Sequence, residues 1–297
     1  MATQREILKR IKSVSSTKKI TKTMEMVSTS KMKKMQTRLA NTKPFVKKLE
    51  NLISNVFDSG VPITDDSMFK TTKLVQNKLI LTITGNRGLC GGYNTNVINN
   101  TLAFKDKILA EGDKKYLLQM IGKKGINYFK FINLPLYKSE ANLEDKIRFN
   151  DAIRLGSDLL NLYKYGEVSE VYISYTKVLS SVTYKPSIYR LLPISIEEIQ
   201  KEVPVEERGG LRTKFIFEPD PNILLASFLP LYITIKLYLN ILESGFAEQN
   251  ARRIAMKNAT DAANDMVRSL TIKYNRARQA KITNEIAEIV GGAAALG

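Results

Sequence analysis

The 297-residue chain has no histidine and a single cysteine, Cys90. The first absence removes the commonest general base and the commonest metal ligand. The second excludes an internal disulfide and a cysteine-based metal cluster. Acidic residues are scarce at one end. Residues 1–50 hold 14 Lys and Arg against Glu6, Glu25 and Glu50, whereas residues 51–219 hold 23 against 19 and residues 220–297 hold 9 against 7. Most of the net charge of +17 therefore sits on the first fifty residues. Such an excess points to nucleic acid, an anionic membrane or an acidic protein surface. A solvated helix face explains any one lysine, but it explains a whole helix with three counter-charges poorly. The segment is charged from Arg5 onward and has no apolar core of a secretory signal, so a reducing, cytosol-like compartment is expected. No internal repeat or low-complexity tract is present.

Glycine is missing from the first 59 residues. A capping box, Thr3-Gln-Arg-Glu6, opens a helix expected to run from Thr3 to Val56. Apolar residues recur at three- and four-residue steps through Ile7, Ile11 and Val14, then Ile20, Met24 and Val27, then Met32, Met35 and Leu39, then Val46, Leu49, Ile53 and Val56. That is a narrow seam for one partner helix. Pro44 should bend it, and Ser59-Gly60-Val61-Pro62 should stop it. A second long helix is expected from Asp220 to Val290, with Asp220 as N-cap acceptor and Pro221 at the first helical position. Its expected seam is fine-grained, with Ala247, Ala251, Ala255, Ala259, Ala262 and Ala263 beside Phe246, Ile254, Met266 and Leu270. At 1.5 Å per residue the helices span roughly 80 and roughly 105 Å. The last run, Glu288 to Gly297, has no side-chain charge after Glu288 and mostly small residues; composition favours a frayed tail over a plug for an apolar socket. Ile223–Leu242 is the one long apolar run, but Ser227, Pro230, Thr234, Lys236 and Asn240 interrupt it. It reads as a helix buried on two sides rather than a bilayer span.

Between the helices, strands are expected at 78–84, 115–121, 170–176 and 183–191, with helices at 95–109, 122–131 and 143–163. This alternation implies a largely parallel sheet with crossover helices. The fold class is α/β: a long antiparallel coiled coil of N- and C-terminal helices plus a central Rossmann-like, doubly wound domain. The expected parts are helix 1–57, linker 58–77, α/β domain 78–192, an exposed acidic loop and return segment 193–219, and helix 220–297.

After the first strand comes Gly85-Asn-Arg-Gly-Leu-Cys-Gly-Gly-Tyr-Asn94. A glycine-rich turn there is where α/β folds cradle phosphates. This spacing fits neither G-x-G-x-x-G nor a P-loop, which needs Lys followed by Ser or Thr. A tight strand-to-helix turn packed closely on a neighbour is the better reading. The stretch Arg87-Gly-Leu-Cys-Gly-Gly92 resembles the signature loop of the γ subunit of F-type ATP synthases. So do Ile20-Thr-Lys-Thr-Met-Glu-Met-Val27 with Ser30-Lys-Met32, the run Glu248 to Asp261, and the block Tyr274 to Glu285 closing with Glu288 to Ala295. Two departures stand out: Gly85-Asn86 replaces a hydroxyl residue and Asp, and Arg253 replaces a common apolar residue.

The resemblance implies a central-stalk rotor that transmits rotation of the membrane c-ring to the ring of α and β subunits and couples ion movement to ATP synthesis or hydrolysis. It implies no catalytic residue, cofactor, metal or direct small-molecule substrate in this chain. The implied partners are the α, β and ε subunits and the c-ring. The implied place is the cytoplasmic side of a bacterial plasma membrane, as a peripheral protein. By motif match, Arg276, Arg278, Gln279 and Thr283 catch a loop of β, Lys22 and Arg252 neighbour them along the shaft, and Met24 takes the bearing position. Phe217 and Glu218 match the segment placed against the c-ring and ε. An alternative reading is a basic helical hairpin that binds nucleic acid, although the basic helix has no aromatic residue before Phe45. The two readings separate on mixing: a rotor subunit assembles with α and β and ignores duplex DNA, whereas a phosphate-tracking hairpin binds DNA with an affinity that falls steeply with salt.

Overall fold

The computed structural model describes residues 4–58, 68–69, 77–110, 112, 115–141, 143, 147–180, 183–202, 217–218 and 220–296. Thr3 of the capping box, the helix stop at 59–62 and most of the acidic loop lie outside the described residues. The elements in chain order are α1 (Gln4–Asp58), β1 (Asn77–Ile83), α2 (Tyr93–Ala110), β2 (Lys115–Ile121), α3 (Lys123–Phe131), β3 (Lys138–Glu140), α4 (Phe149–Lys164), β4 (Glu170–Val178), β5 (Tyr184–Leu192), α5 (Ile196–Glu202) and α6 (Pro221–Leu296). The chain divides into two compact units. A terminal unit comprises Met1–Ser30 and Arg252–Gly297, and a sheet unit comprises Lys31–Ala251.

In the sheet unit, five strands lie in the order β3-β2-β1-β4-β5. The first four are parallel, with Leu79 opposite Leu117 on one side and Val171 on the other, and β5 closes the edge antiparallel to β4. β1 is apolar on both faces because both faces are covered. Ile80 joins Leu118 and Met120 under α2 and α3, through Ile98, Ile108, Ile126 and Phe129. Leu79, Leu81 and Ile83 face the opposite way, toward Leu155 and Leu159 of α4 and a larger core that includes Ile53 and Leu237. A doubly wound sheet results. Apolar residues of the 223–242 run, among them Leu225, Leu229, Ile233 and Ile241, are buried in that core, which accounts for their hydrophobicity without a bilayer.

Within this unit α1 and α6 run antiparallel. Met35 lies against Gly245, Lys43 Nζ is 3.1 Å from Glu243 Oε1, and Glu50 Oε1 receives Lys236 Nζ at 2.8 Å and the Tyr232 hydroxyl at 3.3 Å. As numbers rise along one helix they fall along the other. α6 begins as its sequence demands: Asp220 Oδ1 accepts from Asn222 N at 2.8 Å, and the Asp220 carbonyl accepts from Leu224 N. Within the terminal unit the two helices meet at Thr21 and Thr260, whose hydroxyls are 2.7 Å apart.

The seams differ from those expected. Ile20 is 60% and Val27 51% exposed, while Thr21 and Ser28 are buried. Along α1 the inward positions follow an unbroken seven-residue repeat, Ile7, Val14, Thr21, Ser28, Met35, Thr42, Leu49 and Val56, interleaved with Met32, Leu39, Val46 and Ile53. Choosing the nearest apolar residue slipped the register by one where the repeat turns polar. On α6, Met266 is exposed, and the inward set is Met256, Thr260, Ala263, Val267 and Leu270.

Smaller differences have local causes. The helix expected from residue 143 starts at Phe149; Leu143 and Ile147 are buried in the approach to it, so their apolarity mimics a helical stripe. Part of the expected acidic loop, Ile196–Glu202, is helical. Ser195 Oγ accepts from Glu198 N at 3.2 Å as its cap, and Ile199 is buried. β3 is a three-residue strand with no apolar residue. Met68 of the expected linker is buried, and its carbonyl accepts from Ile194 N at 2.8 Å.

The Glu50 carboxylate tests the α1–α6 register. Lys236→Met keeps the bulk but removes the ammonium 2.8 Å from the buried Glu50 carboxylate, and should cost about 3 kcal/mol in urea unfolding. Glu50→Gln in the same background should recover part of the loss.

Candidate partner-contact site

The glycine turn is held from three sides. Thr84, just past β1, donates its hydroxyl to the Ile121 carbonyl at 2.9 Å and accepts from Gly125 N at 3.0 Å, which ties the end of β1 to the start of α3. Gly122, between β2 and α3, has φ +98, and a Cβ there would stand 2.0 Å from the Thr84 carbonyl oxygen. Glycine is therefore dictated twice, by the left-handed backbone and by the close approach. Asn86 Oδ1 accepts from Lys123 N at 3.0 Å, Gly85 N donates to Asn94 Oδ1 at 2.7 Å, and the Gly85 carbonyl accepts from Lys124 N. The pair Gly85-Asn86 thus carries its own bonding.

The turn then packs on α6. Cys90 and Tyr93 form one buried cluster with Ala247 and Ala251, and the Glu248 carboxylate lies 3.2 Å from where a Gly85 Cβ would be. Two of the alanines expected in the helix seam therefore admit this turn. A buried carboxylate beside the turn is the wrong sign for a phosphate, which agrees with the packing reading. The turn joins the α/β fold to α6 inside the sheet unit.

The residues matched to partner contacts fall in both units. Lys22, Met24, Arg252, Arg276, Arg278, Gln279 and Thr283 belong to the terminal unit, and Phe217 and Glu218 to the sheet unit. Lys22 is exposed and pairs with Glu25 at 3.1 Å; Met24 is half-buried. Arg252 is 6% exposed, so its guanidinium is mostly enclosed by the chain itself. Arg276, Arg278, Gln279 and Thr283 are exposed, and the Thr283 hydroxyl bonds back to the Gln279 carbonyl at 2.9 Å. Neither Arg276 nor Arg278 pairs with a described residue. Phe217 packs on the large core, while Glu218 is exposed.

Two surfaces were not singled out from sequence. Ile20, Met26 and Val27 stand exposed on α1, next to a stretch whose inward positions are Thr21, Glu25 and Ser28. The seven-residue repeat was the available signal for this inversion. On α6 every residue from Arg278 to Ala293 is exposed, and Ile282, Ile286, Ile289 and Val290 share one face. The helix continues through Leu296, where composition suggested a frayed tail.

A family model described as ATP synthase matches residues 3–296. The chain is 40% identical to the ATP synthase gamma chain of Leptospira biflexa and 38% identical to that of Haemophilus influenzae, each over 296 residues and covering 100% of both chains. The chain belongs to the ATP synthase gamma-chain family. Among solved structures, the central stalk and c-ring of the Tetrahymena thermophila mitochondrial ATP synthase includes a chain 25% identical, with TM-score 0.57, covering 81% of this chain and 99% of that one. A chain of the Euglena gracilis mitochondrial ATP synthase (OSCP/F1/c-ring, rotational state 3) shares the fold at 18% identity and TM-score 0.65, covering 99% and 94%.

In this chain the turn geometry makes Gly122→Ala strongly destabilising, by about 3 kcal/mol, since both backbone strain and a main-chain clash arise. Gly166→Ala, at φ +73 with open space around it, should cost only about 1 kcal/mol. Thermal unfolding of the two variants ranks them; equal losses would remove the close-approach argument.

Proposed function

We propose that the chain is the rotor of an F-type ATP synthase, transmitting c-ring rotation to the α/β catalytic ring, and that it contributes no catalytic residue. The observation that carries this reading is the end of α6. A helix exposed on every side from Arg278 to Ala293 gains nothing from tertiary packing, and isolated helices of that length are marginal in water. Its apolar face, with Arg278 and the neighbouring Arg276 pairing with no described residue, suits a surrounding protein surface that supplies both an apolar wall and carbonyl or carboxylate acceptors. The α and β subunits are the proposed surround.

The excess of Lys and Arg on α1 suits acidic loops of β. Attraction between opposite charges acts over a Debye length without fixing one geometry, so it tolerates sliding. Met24 and the exposed Met26 add polarizable, deformable contacts. Phe217 and Glu218, immediately before α6, are the proposed contact with ε and the c-ring. Full-length similarity to bacterial gamma chains supports a place on the cytoplasmic side of a bacterial plasma membrane.

Arg278→Ala should lower ATP-driven ion pumping in reconstituted vesicles far more than a truncation after Gly291 does. An arginine can fork two hydrogen bonds to one acceptor, whereas the truncated residues offer mainly small apolar surface. Unchanged pumping by the arginine variant would remove this residue from the coupling contact.

A further inference from the structure

At one margin of the five-stranded sheet lies β5, and the hairpin that joins it to β4 fixes which of its backbone groups face outward. Leu179 N donates to the Thr183 carbonyl at 3.0 Å, and the register continues with Lys177 opposite Lys185, Tyr175 opposite Ser187 and Ile173 opposite Tyr189. Antiparallel partners alternate between bonded and unbonded pairs, so these odd-numbered residues of β5 bond to β4. Two further observations agree. Thr176, opposite Pro186, sends its N–H to Ser244 Oγ of α6 rather than to β5, and Pro186 has no N–H to give. The Pro186 carbonyl and the N–H and C=O groups of Ile188 and Arg190 therefore point away from the sheet.

An open cleft of about 660 Å³ runs along this edge. Residues 187–191 all line it, as a strand's edge does; a strand's face presents only alternate residues. The other walls are α1 at 43–50, α6 at 232–243 and the segment 194–199. Val46, Leu191, Ile194, Ile199 and Leu239 make part of the lining apolar. Lys43 and Lys236 are bonded to Glu243 and Glu50, so the charges that remain in the lining are Lys47, Lys177 and Arg190 against Glu198, a net positive balance.

From this arrangement we infer that the β5 edge is a docking site for a single extended segment of another protein, alternately apolar and acidic, which adds to the sheet as a further strand. The outward groups of Ile188 and Arg190 supply the ladder, apolar side chains of the segment enter the cleft, and its carboxylates meet the basic remainder. Pro186 and the register shift at Val171/Tyr172 bound the open stretch, which keeps the ladder short and leaves selectivity to the side chains. A second copy of this chain is the wrong occupant. The helical walls admit a lone segment rather than the edge of another sheet, and two net positive linings repel.

Fluorescence anisotropy of a labelled octapeptide alternating valine and glutamate, titrated with the full-length chain, tests this. The peptide should bind saturably, and its valine-lysine counterpart about tenfold more weakly. Only alternate residues of an added strand turn their N–H toward the sheet. Of two analogues, one N-methylated on the valines and one on the glutamates, one should therefore lose about tenfold in affinity and the other little. Ile188→Pro removes an outward N–H without touching the bonds to β4, so the fold should hold by circular dichroism while affinity falls about tenfold. Lys177→Glu, at an exposed position, should weaken binding severalfold and keeps the test open should the proline variant misfold. Absence of saturable binding by the glutamate peptide, equal affinities of the two methylated analogues, or undiminished binding by folded Ile188→Pro overturns the inference. Each of these results leaves assembly with α and β, and hence the rotor reading, untouched.

Discussion

The pairing of α1 with α6 is the constraint on which the remaining structure depends. Its contacts join residues far apart in the chain: Glu50 and Lys236 are 186 residues apart, and Thr21 and Thr260 are 239 apart. Closing such separations through a flexible chain costs entropy, and the cost precedes any gain from packing. The α/β sheet between the helices lowers it. Once β1, β2, β4 and β5 have paired, the end of α1 and the start of α6 are held on one face of a formed sheet by Ile53, Leu229, Ile233 and Leu237. The glycine turn adds a second anchor through Cys90 and Tyr93 on Ala247 and Ala251. The sheet thus positions the long helices.

The seam changes character along α1. From Met32 to Val56 the repeat positions are apolar apart from Thr42, whereas at Thr21, Glu25 and Ser28 they are polar. Apolar residues at these positions stabilise pairing; polar ones stabilise less but penalise slipped registers, because a shifted hydroxyl loses its partner. The Thr21–Thr260 bond is such a register mark. The same inversion turns Ile20, Met26 and Val27 outward. One stretch of sequence therefore weakens the internal pairing and exposes apolar surface to the outside, a combination that favours contact with a further chain.

Much of the fold was legible because its signals are strong. β1 and β2 are apolar on both faces, the Asp220-Pro221 start has a bonding reason at each residue, and a glycine-free run of more than fifty residues has little alternative to helix. The misses were places where one apolar residue can be explained twice. Ile20 and Val27 fit a three-four rhythm, but only the seven-residue repeat matches their exposure; Leu143 and Ile147 fit a helix, but are buried outside one. β3 and α5 are short and polar, and only neighbours define them. For the contact residues, composition supplied the basic face of α1, while Arg276, Arg278 and Phe217 stood out through family resemblance alone. The enclosure of Arg252 could not be read from its helix position, since the neighbours that cover it are set by tertiary packing.

Charge and packing divide the labour along α6. From Tyr232 to Ala251 the helix is buried on nearly every side, and ion pairs such as Lys236–Glu50 sit where desolvation makes loss of one partner costly. Beyond Arg278 no described residue covers it, and the exposed Lys281–Glu285 pair, four residues apart on the same helix, holds little. The helix is thus fixed at one end by groups that cannot be exchanged and left at the other with groups whose bonds remain to be made. A proposed rotor needs this asymmetry. In the proposed rotor, torque would enter where the helix is locked into the sheet unit and leave where contacts are individually weak enough to be broken and remade.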